Sequence, residues 1–123
     1  MADIVPIVDN EAWAALWSAE KAEGSGALLV FKRSPICPTS HFVEGIFNRY
    51  VAKLPASKEL KIISVDVVGA RPVSQRIAAD TQIRHESPQA LLIGPGQKVL
   101  WNASHGDIDD ESLTKALALK AKA

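Results

Sequence analysis

The stretch "ALLVFKRSPICPTSHFVEGIFNRYVAKLP", residues 27–55, changes its periodicity part-way along. Its first six residues, "ALLVFK", are an apolar run of strand length without strict alternation, the pattern of a central strand buried on both faces. Val43, Ile46, Phe47, Tyr50, Val51 and Leu54 then recur at helical spacing, and Pro55 stops the stripe. Between strand and helix lies "SPICPTS", residues 34–40, which holds the only cysteine of the chain. Pro35 stands two positions before Cys37 and Pro38 directly after it.

Downstream, "LKIISVDVV" (60–68) is rich in β-branched residues and reads as a second buried strand. A strand, a helix and a second strand in this order imply a right-handed parallel crossover. Upstream, "DNEAWAALWSAEKAEGSG" predicts a helix with Trp13, Leu16 and Trp17 on one face. Asp9 or Asn10 is its expected cap, and the Gly-Ser-Gly run from Gly24 its expected stop. Pro72 suits the first position of a third helix, with Val73, Ile77 and Ala78 facing inward.

"SPQALLI" and "KVLWNAS", joined by "GPGQ", read as a hairpin. The segment "DIDDESLTKALALKAKA" begins with acids and ends with lysines, as a helix dipole favours, and Leu113, Ala116 and Leu117 form its stripe. Together these elements predict an α/β fold: a three-layer α/β/α sandwich around a mixed sheet, in which an antiparallel C-terminal hairpin joins the parallel crossover. The thioredoxin arrangement has this order, and other α/β arrangements share it.

A length of 123 residues predicts one domain, residues 1–123, able to bury a real core. Lys plus Arg equals Asp plus Glu at 14 each, so no global field favours nucleic acid or an anionic membrane. The three tryptophans lie among non-basic neighbours, which disfavours a stacking platform for single strands. Met-Ala-Asp-Ile begins acidic and no long apolar run follows, so neither a secretory leader nor a spanning helix is expected. One cysteine forms no internal disulfide, and a reducing cytoplasm is the expected compartment. No metal is expected, because the three histidines and the cysteine show no ligand spacing.

Cys37 is the candidate nucleophile. A lone cysteine is ordinarily a small buried hydrophobe. Here it follows a strand and opens a helix, where free amides and the helix dipole favour its thiolate. Lys32 and Arg33 lie just upstream, Pro35 stiffens the approach, and Pro38 suits the first helical position. Ser40, one turn on, either donates to the thiolate or satisfies a local backbone group. It forms no disulfide, so a dithiol cycle within one chain is excluded. His41, four residues past Cys37, and His85, just before Pro88, read first as solvated or structurally satisfied imidazoles, with action on the thiolate or on a bound carboxylate as the alternative, and His105 reads as a loop residue after the hairpin.

"FKRSPICPTS", "RPVSQRIA", "HESPQALLI" and "VLWNASHGDID", in this order and spacing, resemble the monothiol bacilliredoxin family from about Leu28 to Leu113. The resemblance implies a thioredoxin-like domain that removes bacillithiol, or a similar low-molecular-weight thiol, from protein mixed disulfides. It makes Cys37 the redox-active cysteine, Ser40 the replacement of a second cysteine, and Pro88 a cis-proline beside the active site. Ser87 would then offer its backbone to an extended substrate. Bacillithiol is implied as co-substrate and S-thiolated proteins as partners. The carboxylate-bearing malate group of bacillithiol makes Lys32, Arg71 and Arg84 candidate anchors. Two other readings remain at this level. One is a non-enzymatic thioredoxin-like module that binds a protein partner. The other is an iron–sulfur carrier, although the Cys-Gly-Phe-Ser motif of monothiol glutaredoxins is absent.

Overall fold

Residues 2–22 and 26–120 are described by the structure, a computed structural model. The chain runs β1 (Ile4–Pro6), α1 (Asn10–Ala19), β2 (Ala27–Arg33), α2 (Pro38–Ala52), β3 (Leu60–Asp66), α3 (Arg71–Thr81), β4 (Gln89–Gly94), β5 (Lys98–Ser104) and α4 (Asp110–Lys120). A short 3-10 turn, His105–Asp107, joins β5 to α4. The strands form one sheet in the order β1-β3-β2-β4-β5. β1 and β2 flank β3 in parallel, and β4 pairs antiparallel with both β2 and β5.

β2 lies at the centre because it is apolar on both faces. Leu28 and Val30 join Trp13, Val73 and Ile77 on the α1/α3 side, while Leu29 and Phe31 join Val43, Phe47 and Leu113 on the α2/α4 side. The result is the three-layer α/β/α arrangement with a mixed sheet that the sequence predicts. α2 is seated by ring packing: Phe47 stacks on Phe31 with centroids 4.4 Å apart and planes 9° from parallel. Val43, Phe47 and Val51 are buried, and Ile46 and Tyr50 are half-buried at the edges of the same stripe.

Asp9 caps α1, its Oδ1 accepting from the Ala12 amide at 2.8 Å. The helix ends at Ala19, with Glu20 as its C-cap. The stop expected at Gly24 lies outside the described residues. In the hairpin, Gly96 takes a left-handed φ of 80°, and Gln97 follows with φ 60°. β1 has no counterpart in the sequence reading. Three residues ending in proline are too short to show a period, and their pairing with β3 at the sheet edge defines them.

The Phe31–Phe47 stack and the exposed Phe42 provide a contrast within one helix. Phe47→Ala is expected to lower unfolding free energy by about 3–5 kcal/mol. Phe42→Ala, at a side chain 70% exposed, is expected to stay within about 0.5 kcal/mol. Urea titration of the two variants checks the assignment.

Candidate functional site

The C-terminal ends of β2 and β3, the start of α2 and the segment before β4 meet at one end of the sheet. Arg33 fastens this end: its Nε donates to Glu44 Oε2 on α2 at 2.8 Å, and its Nη1 lies 3.7 Å from Asp66 Oδ2 at the end of β3. The Gly69 amide, followed by the Val68 amide and Arg33, draws the Asp66 carboxyl below its ordinary range, against an opposing effect of burial. The Val67 amide donates to the Arg33 carbonyl at 2.9 Å.

Cys37 is the N-cap of α2, with φ −100° and ψ 121°, and Pro38 follows as the first helical residue. Ser, Thr, Asp or Asn usually fills this position, with an oxygen that accepts from the second or third helical amide. Cys37 makes no such side-chain bond. A half-buried sulfur therefore stands where a helix most readily accommodates an anion. Its carbonyl accepts from the His41 amide at 3.0 Å, which closes the first turn.

Ser40 is fully buried, and its Oγ accepts from the Ser34 amide at 2.7 Å. Ser34 Oγ in turn accepts from the Ile36 amide at 3.4 Å. Of the two roles open to Ser40, the structure shows the backbone-satisfying one. It closes the loop that carries Cys37, and its own proton remains for donation. Pro35, Ile36, Pro38, Thr39 and His41 are exposed around the sulfur.

The Ser87–Pro88 peptide bond is cis, and Pro88 is buried. Ser87 Oγ is buried without a hydrogen-bond partner among the described residues. The His105 amide donates to the Pro88 carbonyl at 2.9 Å, and the His105 ring lies 3.2 Å from Glu86 Oε2.

The three candidate cations separate sharply. Arg84 is 92% exposed and only 4.0 Å from Glu86 Oε1. Arg71 is exposed at the start of α3, lining a groove of about 420 Å³ with Val67, Val68, Ser74, Gln75 and His85. Lys32, grouped with these arginines as a possible surface anchor, is a fully buried residue of β2. Its Nζ donates to the Ser74 carbonyl at 3.1 Å and lies 3.1 Å from His85 Nδ1. Burial lowers its ammonium from an ordinary 10.5 to about 8. Burial also lowers His85, as do Lys32 and Arg71, while Glu86 opposes them.

Ser34, Ser74, Glu86 and Gln89 also support this region, and sequence position alone does not mark out the first three. Gln89 carries a signal in the sequence, a polar residue opening the otherwise apolar run "QALLIG", and the structure buries it.

A family model described as Monothiol bacilliredoxin BrxC matches residues 6–113. Among solved structures, a chain ascribed an oxidoreductase role and a thioredoxin fold is 26% identical, with TM-score 0.74 and 93% of each chain covered. Thioredoxin NaTrxh from Nicotiana alata is 16% identical, with TM-score 0.73 and coverage of 97% of this chain and 93% of that one. Fasciola hepatica thioredoxin is 13% identical, with TM-score 0.71 and coverage of 95% and 99% respectively. The last two share the fold.

Two measurements follow from the buried polar groups. Ser40→Ala strands the Ser34 amide and is expected to cost about 1–3 kcal/mol of unfolding free energy. For Lys32, the folded state releases its proton near pH 8 and the unfolded state near 10.5, so the unfolded chain binds more protons between them. Stability carried by Lys32 therefore rises with pH across that window. Between about pH 7 and pH 10, wild type should gain about 2–3 kcal/mol relative to Lys32→Met. A difference that stayed flat in urea titrations would contradict this burial effect.

Proposed function

The chain belongs to the monothiol bacilliredoxin family and is a thioredoxin-fold thiol–disulfide oxidoreductase; from that premise we propose that it removes bacillithiol, or a similar low-molecular-weight thiol, from protein mixed disulfides. The observation that carries this reading is a lone cysteine at the N-cap of α2, with a buried serine where a second cysteine would resolve it. The Cys37 thiolate attacks the small-thiol sulfur of the mixed disulfide. That S–S bond breaks as the new one forms, and the target protein leaves as a thiolate that takes a proton from solvent. Cys37 then carries the small thiol. A second small-thiol thiolate attacks the adduct, frees Cys37, and leaves as the symmetrical small-molecule disulfide. Each step exchanges one disulfide for another, so no electron acceptor is needed.

Three features support the assignment of roles. The amides that open α2 favour negative charge at Sγ during both attacks. Ser40 holds the loop of Cys37 and offers no thiol. The backbone of Ser87 and the unpartnered Ser87 Oγ provide hydrogen-bonding groups for an extended substrate beside Pro88, since a buried hydroxyl without a partner costs about 1–3 kcal/mol that binding would recover. Exposed Ile36 and Val68, with Phe42 one turn into α2, give the surrounding surface apolar contacts suited to a polypeptide. For the small thiol, Arg71 is the cation best placed to meet a carboxylate, because it lines an open groove. Arg84 is a secondary candidate from the same end of the sheet. The exchange requires a pool of reduced small thiol, which places the proposed site of action in the cytoplasm.

Mixing the reduced protein with a bacillithiol-modified model protein tests the proposal. The expected outcome is release of the target thiol with a mass increase of one small thiol on Cys37. Cys37→Ser should abolish both. Glutathione- and cysteine-modified targets run in parallel identify the thiol preference. A folded protein that gains no adduct and releases no thiol from any of these targets would overturn the exchange reading.

A further inference from the structure

The segment that delivers Ser87 and Pro88 has no regular secondary structure between Gln82 and Pro88. Two buried polar residues on neighbouring strands hold it from beneath. Lys32 on β2 and Gln89 on β4 are direct register partners, so their side chains share one face of the sheet. Gln89 Nε2 donates to the Arg84 carbonyl at 2.9 Å, and Gln89 Oε1 accepts from the Glu86 amide at 3.4 Å. Lys32 reaches the residue between them, with Nζ 3.1 Å from His85 Nδ1. Arg84, His85 and Glu86 are thus each tied to one member of this pair.

Packing alone does not explain Lys32. An ammonium taken wholly out of water is costly, and a methionine or leucine would fill similar space without that cost. What the ammonium adds is its contacts: one to the Ser74 carbonyl of α3 and one to the imidazole of the substrate-side segment.

We propose that Lys32 is a positioning residue for the exchange reaction, holding the Ser87–Pro88 segment in place through His85, and that it does so only while His85 is neutral. The role in exchange rests on the reading in the preceding subsection; the hold on the segment stands on the contacts themselves. An ammonium only donates, so Nδ1 must present its lone pair and the imidazole proton must sit on Nε2. Protonating His85 puts a second N–H on Nδ1, turning a donor–acceptor pair into two facing donors with like charge.

The groups around the pair set the direction of the pH response. His85 faces Lys32 from β2, Arg71 from the start of α3, and Glu86 from its own segment. Burial and the two cations oppose its protonation, while Glu86 favours it. Glu86 is itself drawn toward His105 and Arg84. Lys32 faces the Ser74 carbonyl and His85, flanked by its register partners Val65 and neutral Gln89. Strand alternation turns the adjoining Arg33–Asp66 pair to the opposite face. Acidification therefore breaks the contact outright. Above about 8 Lys32 loses its charge but keeps N–H donors, so the contact weakens without reversing.

The experiment uses the full chain, wild type and Lys32→Met, with His85→Leu as a second route to the same lost contact that spares the core strand. Imidazole ¹⁵N spectra at about pH 7 should show His85 as the Nε2–H tautomer, and acidification should protonate it with loosening of Glu86 and Ser87. In either variant, amide hydrogen exchange at Glu86 and Ser87 should quicken by about tenfold, as loss of one net hydrogen bond implies, while core amides of α2 hold. KM for a thiolated protein should rise by a similar factor, and the acid limb of the wild-type pH profile should flatten in His85→Leu. An Nδ1–H tautomer at neutral pH, or unchanged exchange at Glu86 and Ser87 in His85→Leu, overturns the proposal. The tautomer and amide measurements need no substrate, so they decide the hold on the segment separately from the exchange reading.

Discussion

A 2.7 Å hydrogen bond from the Ser34 amide to the buried Ser40 hydroxyl closes the turn between β2 and α2, and the position of Cys37 follows from it. β2 is fixed at the centre of the sheet by burial on both faces, and α2 is fixed over it by the Phe31–Phe47 stack. The chain between them has three residues, Ser34 to Ile36, in which to rise from the strand before Cys37 caps the helix. With Ser34 tied to the first turn of the helix it enters, the sulfur has little freedom. Pro35 and Pro38 restrict the same path through their fixed φ.

The second constraint is electrostatic. The site end of the sheet carries a satisfied acid–base triad, Glu44–Arg33–Asp66, on one face and a buried ammonium, Lys32, on the other. The triad is half-buried and joins α2 to β2 and β3. Lys32 joins β2 to α3 and to the segment before Pro88. The two arms of the site, the Cys37 turn and the Ser87–Pro88 segment, are thereby anchored to consecutive residues of one strand. Motion of either arm relative to the other requires breaking a buried or half-buried polar contact.

Much of this was legible in residues 27–55. The apolar run, the stripe and the prolines located the central strand, the covering helix and the cysteine between them, and the hairpin and terminal helix followed from turn residues and charge order. The role of Ser40 was only half legible, because its spacing from Cys37 allows two partners and the loop backbone decides between them. Lys32 was legible as a cation and not as a buried one. A lysine ending a strand ordinarily snorkels to solvent, and only α3 and the segment around His85, distant in sequence, close over it. β1 was illegible for a similar reason, since its pairing with β3, and not its own three residues, makes it a strand.

In the proposed cycle Cys37 takes up a small thiol and then waits for another from outside, because Ser40 offers no resolving sulfur. Turnover counted with and without added free thiol distinguishes this cycle from one with an internal resolving step. With a thiolated target in excess and no free thiol, the protein should release one equivalent of target thiol per chain and stop, and added bacillithiol should restart release at a rate that grows with its concentration. Continued release beyond one equivalent in the absence of any added thiol would rule this cycle out.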